Sequence, residues 1–585
     1  MKIVLCTTPI RPVPTDYPPF GSMAVIQALR DAGYPPIFLD IDALRPDFEE
    51  VIERFRKEAP DVIAISAVVS TAYGYVKKLC IRLKEELPGV KIVLGGNLAA
   101  SAELLHRYCQ IDLCVIGEGE RVIVNLMRYL EQHPLRDEEE ALRQIKGITA
   151  LSASGEMIFT GYEETLPAHL LADPDYTLLE EFSDLRRFIG DPFSREDFAQ
   201  DPRSRQPHRA GKRMGTVTST KGCVARCTFC HRWDRGFRQI SPEKVIDRIR
   251  KLMDRYNVGF IMFGDENFGS DLKALDRLIE LIRPLDILWQ VAGVRARTLN
   301  PERLKRMREA GCVALYYGFE TGSPEILKVM EKNLDLSHNL MAAKTTFEAG
   351  LYTCYQLVLG MPGETHRTIS QSIEMIRQVT EFLPDPPHRV LSINYIQALP
   401  GTPVYEYARS RGLIGPTLKD EDAYLTSISD IDAGDDTKFL NFTDSPTLTV
   451  QSWRPRILYE ATTHWHQAGR QQKRPNGAAA LQGNPREYQN GGYFNRHEFH
   501  RSPFLLRALY PIRGIPIGIW TILSVFRRSP KKVFVSHLWE WLVWRFSPQP
   551  KSLGEYRSLR QVVRDLALPA STQTQISMAP LRSGR

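Results

Sequence analysis

Three cysteines, Cys223, Cys227 and Cys230, stand at CxxxCxxC spacing in Lys221-Gly222-Cys223-Val224-Ala225-Arg226-Cys227-Thr228-Phe229-Cys230. The run before them, Gly215-Thr216-Val217-Thr218-Ser219-Thr220, is threonine-rich and apolar and reads as a strand. Any fold of this chain must therefore carry three thiols on one short loop at a strand end. Thiolate sulfur is a soft ligand, and cysteines this close together wrap an iron–sulfur cluster or a zinc ion, or are simply buried. A tetrahedral zinc site or an ordinary four-iron cluster needs a fourth protein ligand, and the next cysteine is Cys312, far downstream. Three ligands on a four-iron cluster would leave one iron open to a small molecule.

Further segments follow in a fixed order. Gly264-Asp265-Glu266-Asn267 ends the apolar strand Val258–Phe263, and Tyr316-Tyr317-Gly318-Phe319-Glu320-Thr321-Gly322-Ser323 ends another. Leu359-Gly360-Met361-Pro362-Gly363-Glu364-Thr365 and Pro400-Gly401-Thr402-Pro403-Val404-Tyr405 come after them. Over about residues 210 to 420 the chain resembles the radical SAM superfamily, with Phe229 in the aromatic position of its cysteine motif. The resemblance implies a 4Fe-4S cluster on Cys223, Cys227 and Cys230 whose open iron chelates S-adenosyl-L-methionine. It implies that Gly264, Asp265 and Glu266 grip the methionine amine, that Glu320 serves the ribose or carboxylate region, and that Gly360 belongs to the cofactor loop. The same segment repeats strand then helix about six times, which predicts a partial (β/α)6 barrel with functional loops at the carboxyl ends of its strands. Arg295 and Arg297 follow its third strand and are candidates for a cofactor carboxylate or for surface ion pairs. Tyr316 and Tyr317 point to opposite faces of one strand, so one packs outward.

Residues 1 to about 135 alternate short β-rich runs with amphipathic helical segments, which predicts βα units on a parallel sheet of Rossmann-like type. Ligands bind at the carboxyl ends of such strands. Gly95-Gly96-Asn97 and Gly117-Glu118-Gly119-Glu120 lie at two of those ends and let a backbone approach a bulky ligand. Placed before a radical SAM core, this region resembles the cobalamin-binding domain of cobalamin-dependent radical SAM enzymes. In that resemblance Gly95, Gly96 and Gly119 line the nucleotide tail, and Val69 and Ser70 face the corrin from the loop after the third strand. No DxHxxG motif follows the first strand, so no histidine is set to ligate cobalt from below, and no GxGxxG fingerprint points to NAD.

The expected architecture is α/β: a cobalamin-binding domain over 1–138, a hairpin and linker over 139–212, a radical SAM barrel over 213–420 and a mainly helical region over 421–585. The hairpin pairs Ile148–Leu151 with Met157–Thr160 across Ser154-Gly155. Six of the nine cysteines are scattered in apolar elements, which fits a reducing cytoplasm, and Pro9 and Pro12 break the amino-terminal apolar run too soon for a signal peptide. From Gln451 onward there are 21 Lys/Arg against 6 Asp/Glu, while the rest carries 55 against 63. Six of eight tryptophans lie in that basic part. Val533–Phe546, with Trp539, Trp541 and Trp544, suits either a cap closing the active site or a peripheral contact with an anionic membrane surface. No nucleic-acid-binding module accompanies the charge.

The resemblance implies carbon methylation of an unactivated position: reductive cleavage of S-adenosylmethionine, hydrogen abstraction, and a methyl group from methylcobalamin, with electrons from a flavodoxin- or ferredoxin-type donor. The anaerobic cyclases of magnesium-porphyrin biosynthesis share the architecture and are the second enzyme reading. Methylthiotransferases carry three more clustered cysteines, which Cys6, Cys80, Cys109 and Cys114 do not form. A cobalamin or redox sensor is the non-enzymatic reading. The apolar basic tail points to a hydrophobic small-molecule substrate.

Overall fold

In the computed structural model the described residues are 1–585 without 134–138, 232–235, 384–386, 430, 432–437, 472–521, 524, 528–529, 547–555 and 567–585. The polar stretch Gln467–Asn495 and the apolar runs Phe504–Tyr510 and Ile515–Phe526 fall wholly or largely outside them, as do Arg232, Trp233 and Arg235.

The first sheet has seven strands: β1 (Ile3–Thr7), β2 (Ile37–Leu39), β3 (Val62–Ser66), β4 (Lys91–Gly95), β5 (Leu113–Val115), β6 (Ile148–Leu151) and β7 (Met157–Phe159). Their order is β2-β1-β3-β4-β5-β6-β7. The first five pair in parallel, with Ile3 to Thr7 opposite Val62 to Ser66. The predicted hairpin forms, and it extends this sheet as two antiparallel strands on β5. Helices cover both faces, which is why β1 and β3 read as nearly unbroken apolar runs and are buried almost throughout. The 2-1-3-4-5 order reverses direction at β1 and β3, and that switch point opens a crevice at the carboxyl edge.

The second sheet is all parallel and has six strands: β8 (Arg213–Val217), β11 (Val258–Phe263), β12 (Leu288–Val294), β13 (Cys312–Glu320), β14 (Tyr352–Leu359) and β15 (Leu391–Tyr395). Between β8 and β11 a small hairpin, β9 (Thr220–Gly222) and β10 (Phe237–Gln239), stands apart. The sheet is a half-barrel. Its outer face packs Ile261, Phe263, Trp289, Val291 and Tyr317 against the helices. Its inner face gathers Met214, Phe260, Met262, Leu288 and Tyr316 with Phe198. The two tyrosines part as expected, Tyr317 outward to Thr346 and Tyr316 inward to Asp197.

The segment between the sheets, a linker by its sequence, floors the barrel. Phe198 is fully buried and meets Phe260 edge to face at 5.2 Å. Arg203 donates to the carbonyls of Arg308 (2.7 Å) and Cys312 (2.6 Å) at the amino end of β13. Gly190 bridges to Met214 on the edge strand β8.

The helix Thr447–Gln471 lies on the outer-layer helix His366–Thr380, with Arg377 bonded to Glu460 at 2.8 Å. The tryptophan-bearing helix Lys531–Phe546 packs on that helix, where Phe534 joins Leu448. It therefore belongs to the outer layer rather than closing the inner face with its aromatic residues. The helix Leu559–Asp565 returns to the cysteine loop.

Candidate functional site

The loop bearing Cys223, Cys227 and Cys230 leaves β9 at Gly222, whose φ of 76° turns the chain away from the hairpin. Cys223 and Cys227 are half-buried and Cys230 is exposed. Backbone ties fix the loop from several sides: Thr228 donates to Met330 O (2.9 Å) and Val329 O (3.0 Å), and its carbonyl accepts from Val404 N (3.2 Å). Arg560 donates to Arg226 O at 3.1 Å. Phe229 packs against the core that joins the two sheets. Burial raises the Cys227 thiol, opposed by Lys332 and Arg295. Among the described residues no set of three His, Cys, Asp or Glu side chains is drawn into a metal-holding group, so the fit of the loop to a cluster rests on its three soft donors.

Beside the loop lies a strained ion pair. Glu320 has φ of 61° and Lys332 bonds its carboxylate at 2.5 Å. A side chain on Gly318 would strike that carboxylate. Glu331 and Asn333 are also left-handed, at 51° and 53°. Such residues cost roughly 1–3 kcal/mol each and persist where surroundings over-determine them. Here Arg295 bonds Lys332 O (2.8 Å), Arg297 bonds Asn333 O (3.3 Å) and Arg560 bonds Glu331 (3.3 Å). The two arginines thus each hold a backbone carbonyl of the Lys332–Asn333 turn.

Asp265 and Glu266 are separated by the fold. Asp265 is buried and accepts from Ser219 N (2.8 Å), Ser219 Oγ (3.1 Å), Thr220 N (2.6 Å) and Thr220 Oγ1 (2.7 Å). Burial pushes its carboxyl up to about 6, with those hydrogen bonds pulling the other way. It anchors the entry to β9. Glu266 is exposed and lines a cavity of about 260 Å³ with Gly264, Thr218, Lys221 and Gly222. Gly293, at φ 70°, lets this loop cross β12, because a Cβ there would collide with the Asp265 and Glu266 carbonyls. On the inner wall Thr216 Oγ1 and Gln290 Oε1 are buried with no hydrogen-bond partner among the described residues, an unfilled polar demand that suits a polar cofactor. Gly360 (φ 87°) donates to Glu364 at 2.6 Å, which shapes the Leu359–Thr365 loop.

At the carboxyl edge of the first sheet Gly96, at φ 94°, sits where a Cβ would collide with Ala67 O, so the loops after β3 and β4 touch backbone to backbone. Gly95 ends β4, and Gly119 opens the helix Gly119–Gln132 against Val25. Val69 is extended, and Ser70 is fully buried with an unpartnered Oγ. Thr8 Oγ1, after β1, is likewise buried and unpartnered among the described residues. A crevice lined by bare backbone and unmet hydroxyls fits a large polar cofactor.

In Gly117–Glu120 the two glutamates matter as well as the glycines. Glu118 is bonded by Arg238 through both oxygens, one at 2.9 Å, and Glu120 by Lys221 at 2.9 Å. Arg238 and Lys221 lie on β10 and β9, so the cysteine hairpin is tied to the glycine loop of the first sheet. Acidic residues alternating with glycines, and basic residues flanking the cysteines, were the available signal. Tyr17, in the loop after β1, was also missed: its ring comes within 3.4 Å of where a Gly264 side chain would begin.

A family profile described as the radical SAM superfamily matches residues 217–376, and one described as the B12 binding domain matches residues 7–127. The anaerobic magnesium-protoporphyrin IX monomethyl ester cyclase of Cereibacter sphaeroides is 28% identical over 61% of this chain. The match spans 56% of that protein's own length. An uncharacterized methyltransferase of Pyrococcus horikoshii is 28% identical over 71% of this chain and 84% of its own. The solved structure of the cobalamin-dependent S-adenosylmethionine radical enzyme OxsB, with aqua-cobalamin and S-adenosylmethionine bound, shares the fold at a TM-score of 0.58. It is 16% identical and covers 99% of this chain and 79% of that one.

Proposed function

We propose that this chain, which carries a radical SAM domain and a B12 binding domain, is a cobalamin-dependent radical SAM enzyme that methylates an unactivated carbon of a small molecule. The observation that carries the reading is the tie between the cysteine hairpin and the glycine loop through Lys221, Arg238, Glu118 and Glu120. It brings the two candidate cofactor sites to one junction. A 4Fe-4S cluster with S-adenosyl-L-methionine supplies hydrogen abstraction, and cobalamin supplies a transferable methyl group. Cys223, Cys227 and Cys230 would hold the cluster, with Phe229 packing behind them. Glu266 and Gly264 would meet the methionine amine, Asp265 supporting their loop from below. Glu320 would act near the ribose or carboxylate, poised by Lys332. Gly360 would border the same cofactor. Gly95, Gly96, Gly119, Val69 and Ser70 would receive the corrin and its tail. A flavodoxin- or ferredoxin-type protein would deliver electrons at the exposed Cys230 side.

The oxidative cyclase reading draws support from the likeness to the cyclase of Cereibacter sphaeroides, 28% identical over 61% of this chain. Anaerobic reconstitution with iron, sulfide and hydroxocobalamin tests both. About four irons and one tightly held corrin per chain, followed by transfer of label from methyl-labelled S-adenosylmethionine to product, is expected of the methylase. Corrin retention without methyl transfer favours the cyclase, and a cluster with no corrin defeats both.

A further inference from the structure

A cavity of about 410 Å³ lies where the inner face of the half-barrel meets the flooring segment and the loop after β1. Met214 and Met262 form its apolar wall, Tyr17 separates it from the Gly264–Glu266 cavity, and Arg11, Arg187 and Arg195 reach it from two different segments. Arg195 carries the argument. Its side chain is only 20% exposed, yet no carboxylate or carbonyl of a described residue accepts from its guanidinium within hydrogen-bond length. Its acid neighbour, Asp197, stands 3.8 Å away and is occupied by the Tyr316 hydroxyl (3.0 Å) and Phe198 N (3.0 Å). With only the Asp197 carboxylate at 3.8 Å and the Tyr316 hydroxyl beside it, this largely buried guanidinium keeps donors for a further acceptor on the cavity side, and its planar fork matches an oxyanion.

The acids on the wall do not serve that purpose. Asp184 is engaged by Arg186 at 3.0 Å, and Asp191 caps its own turn by accepting Phe193 N at 3.0 Å. Asp16 is the third, against four arginines in all. Asp197 orients Arg195 from behind without filling its donors.

We infer that the substrate of this enzyme carries an oxyanion, a carboxylate or a phosphoryl group, that Arg195 anchors with Arg11 and Arg187, while an apolar part lies along Met214 and Met262. This rests on the methylase reading for the identity of the occupant as substrate, and it replaces a purely lipophilic substrate with one that has an anionic head.

The test is isothermal titration of the full-length protein, without added cofactors, using inorganic pyrophosphate and, separately, succinate. Saturable binding of at least one is expected, weakened about tenfold or more in Arg195→Gln and unchanged in Arg277→Gln, whose side chain pairs with Glu243 on the outer surface. Preference for pyrophosphate assigns a phosphoryl substrate, and preference for succinate a carboxylate. Binding by neither, or binding that a folded Arg195→Gln variant retains in full, overturns the inference. Should that variant fail to fold, Arg195→Lys, which keeps charge but loses the fork, must weaken binding instead. The titration needs neither cluster nor corrin, so failed reconstitution leaves the anion site standing, and a failed titration leaves the methylase reading standing.

Discussion

Glu364 shows how one residue type can carry two meanings. In sequence it is the acid of the glycine-bearing loop Leu359–Thr365. In the fold it is 1% exposed, one oxygen holds Gly360 N, and the other has no partner among the described residues. Burial pushes its carboxyl up to about 8 from the ordinary 4.5. The folded state therefore holds this proton more tightly than the unfolded chain does. The stability so gained is complete below about 4.5 and is lost as pH rises through about 8. Glu364→Gln should remove that dependence, so its melting temperature should gain on the wild type steadily across this window. Parallel melting curves at all pH values would refute the assignment. Asp265 teaches the same lesson: its place beside Glu266 is plain in sequence, but its burial under Ser219 and Thr220 depends on strands 46 residues apart.

Among elements, the helix Leu559–Asp565 has the most unexpected place. Its one-sided apolar pattern, Leu559, Val562 and Val563, is buried in the core that joins the two sheets. From there Arg560 reaches Arg226 O inside the cysteine loop, Ser558 and Arg560 bond Glu331, and Tyr556 bonds Gly363 O at 3.1 Å. Losing a charge-assisted hydrogen bond of this kind costs about 1.5 kcal/mol, or roughly tenfold in the loop's opening equilibrium. Arg560→Ala should release iron to a chelator about tenfold faster and, before cluster loading, should speed tryptic cleavage after Arg226. Arg557→Ala, whose side chain pairs with Asp565 instead, should do neither. Equal release and cleavage in both variants would leave the helix no hold on the loop. Strands, parallel order and glycine loops were legible from alternation and motif spacing. This helix was not, because the hydrogen-bond partners around it, from Gly363 to Arg226, lie 193 to 334 positions away.

For the whole molecule, the two-sheet architecture and its order along the chain followed from pattern alone, whereas the contacts between the parts did not. The flooring segment has neither period nor motif, so only the packed barrel reveals Phe198 and Arg195 as interior groups. The aromatic helix Lys531–Phe546 exposes Val535 (61%), Trp539 (68%) and Phe546 (86%) beside Lys531 and Lys532. No helix among the described residues is long and apolar enough to cross a membrane. A peripheral contact predicts sedimentation with anionic vesicles that is lost in Trp539→Glu and Phe546→Glu together; sedimentation of the double variant at the wild-type level would exclude this helix as the contact. The floor of the barrel has a consequence for biosynthesis. Residues 190–205 leave the ribosome before any strand of the half-barrel, and the segment just ahead of them bonds the first sheet's domain, Ser183 to Asp40 and Arg187 to Ala43 O. The walls are thus translated after the floor they close on, which can serve as their template. A split-gene version cut just before β8 would translate its walls with nothing to close around, while a cut ahead of Thr177 would keep template and walls on one polypeptide.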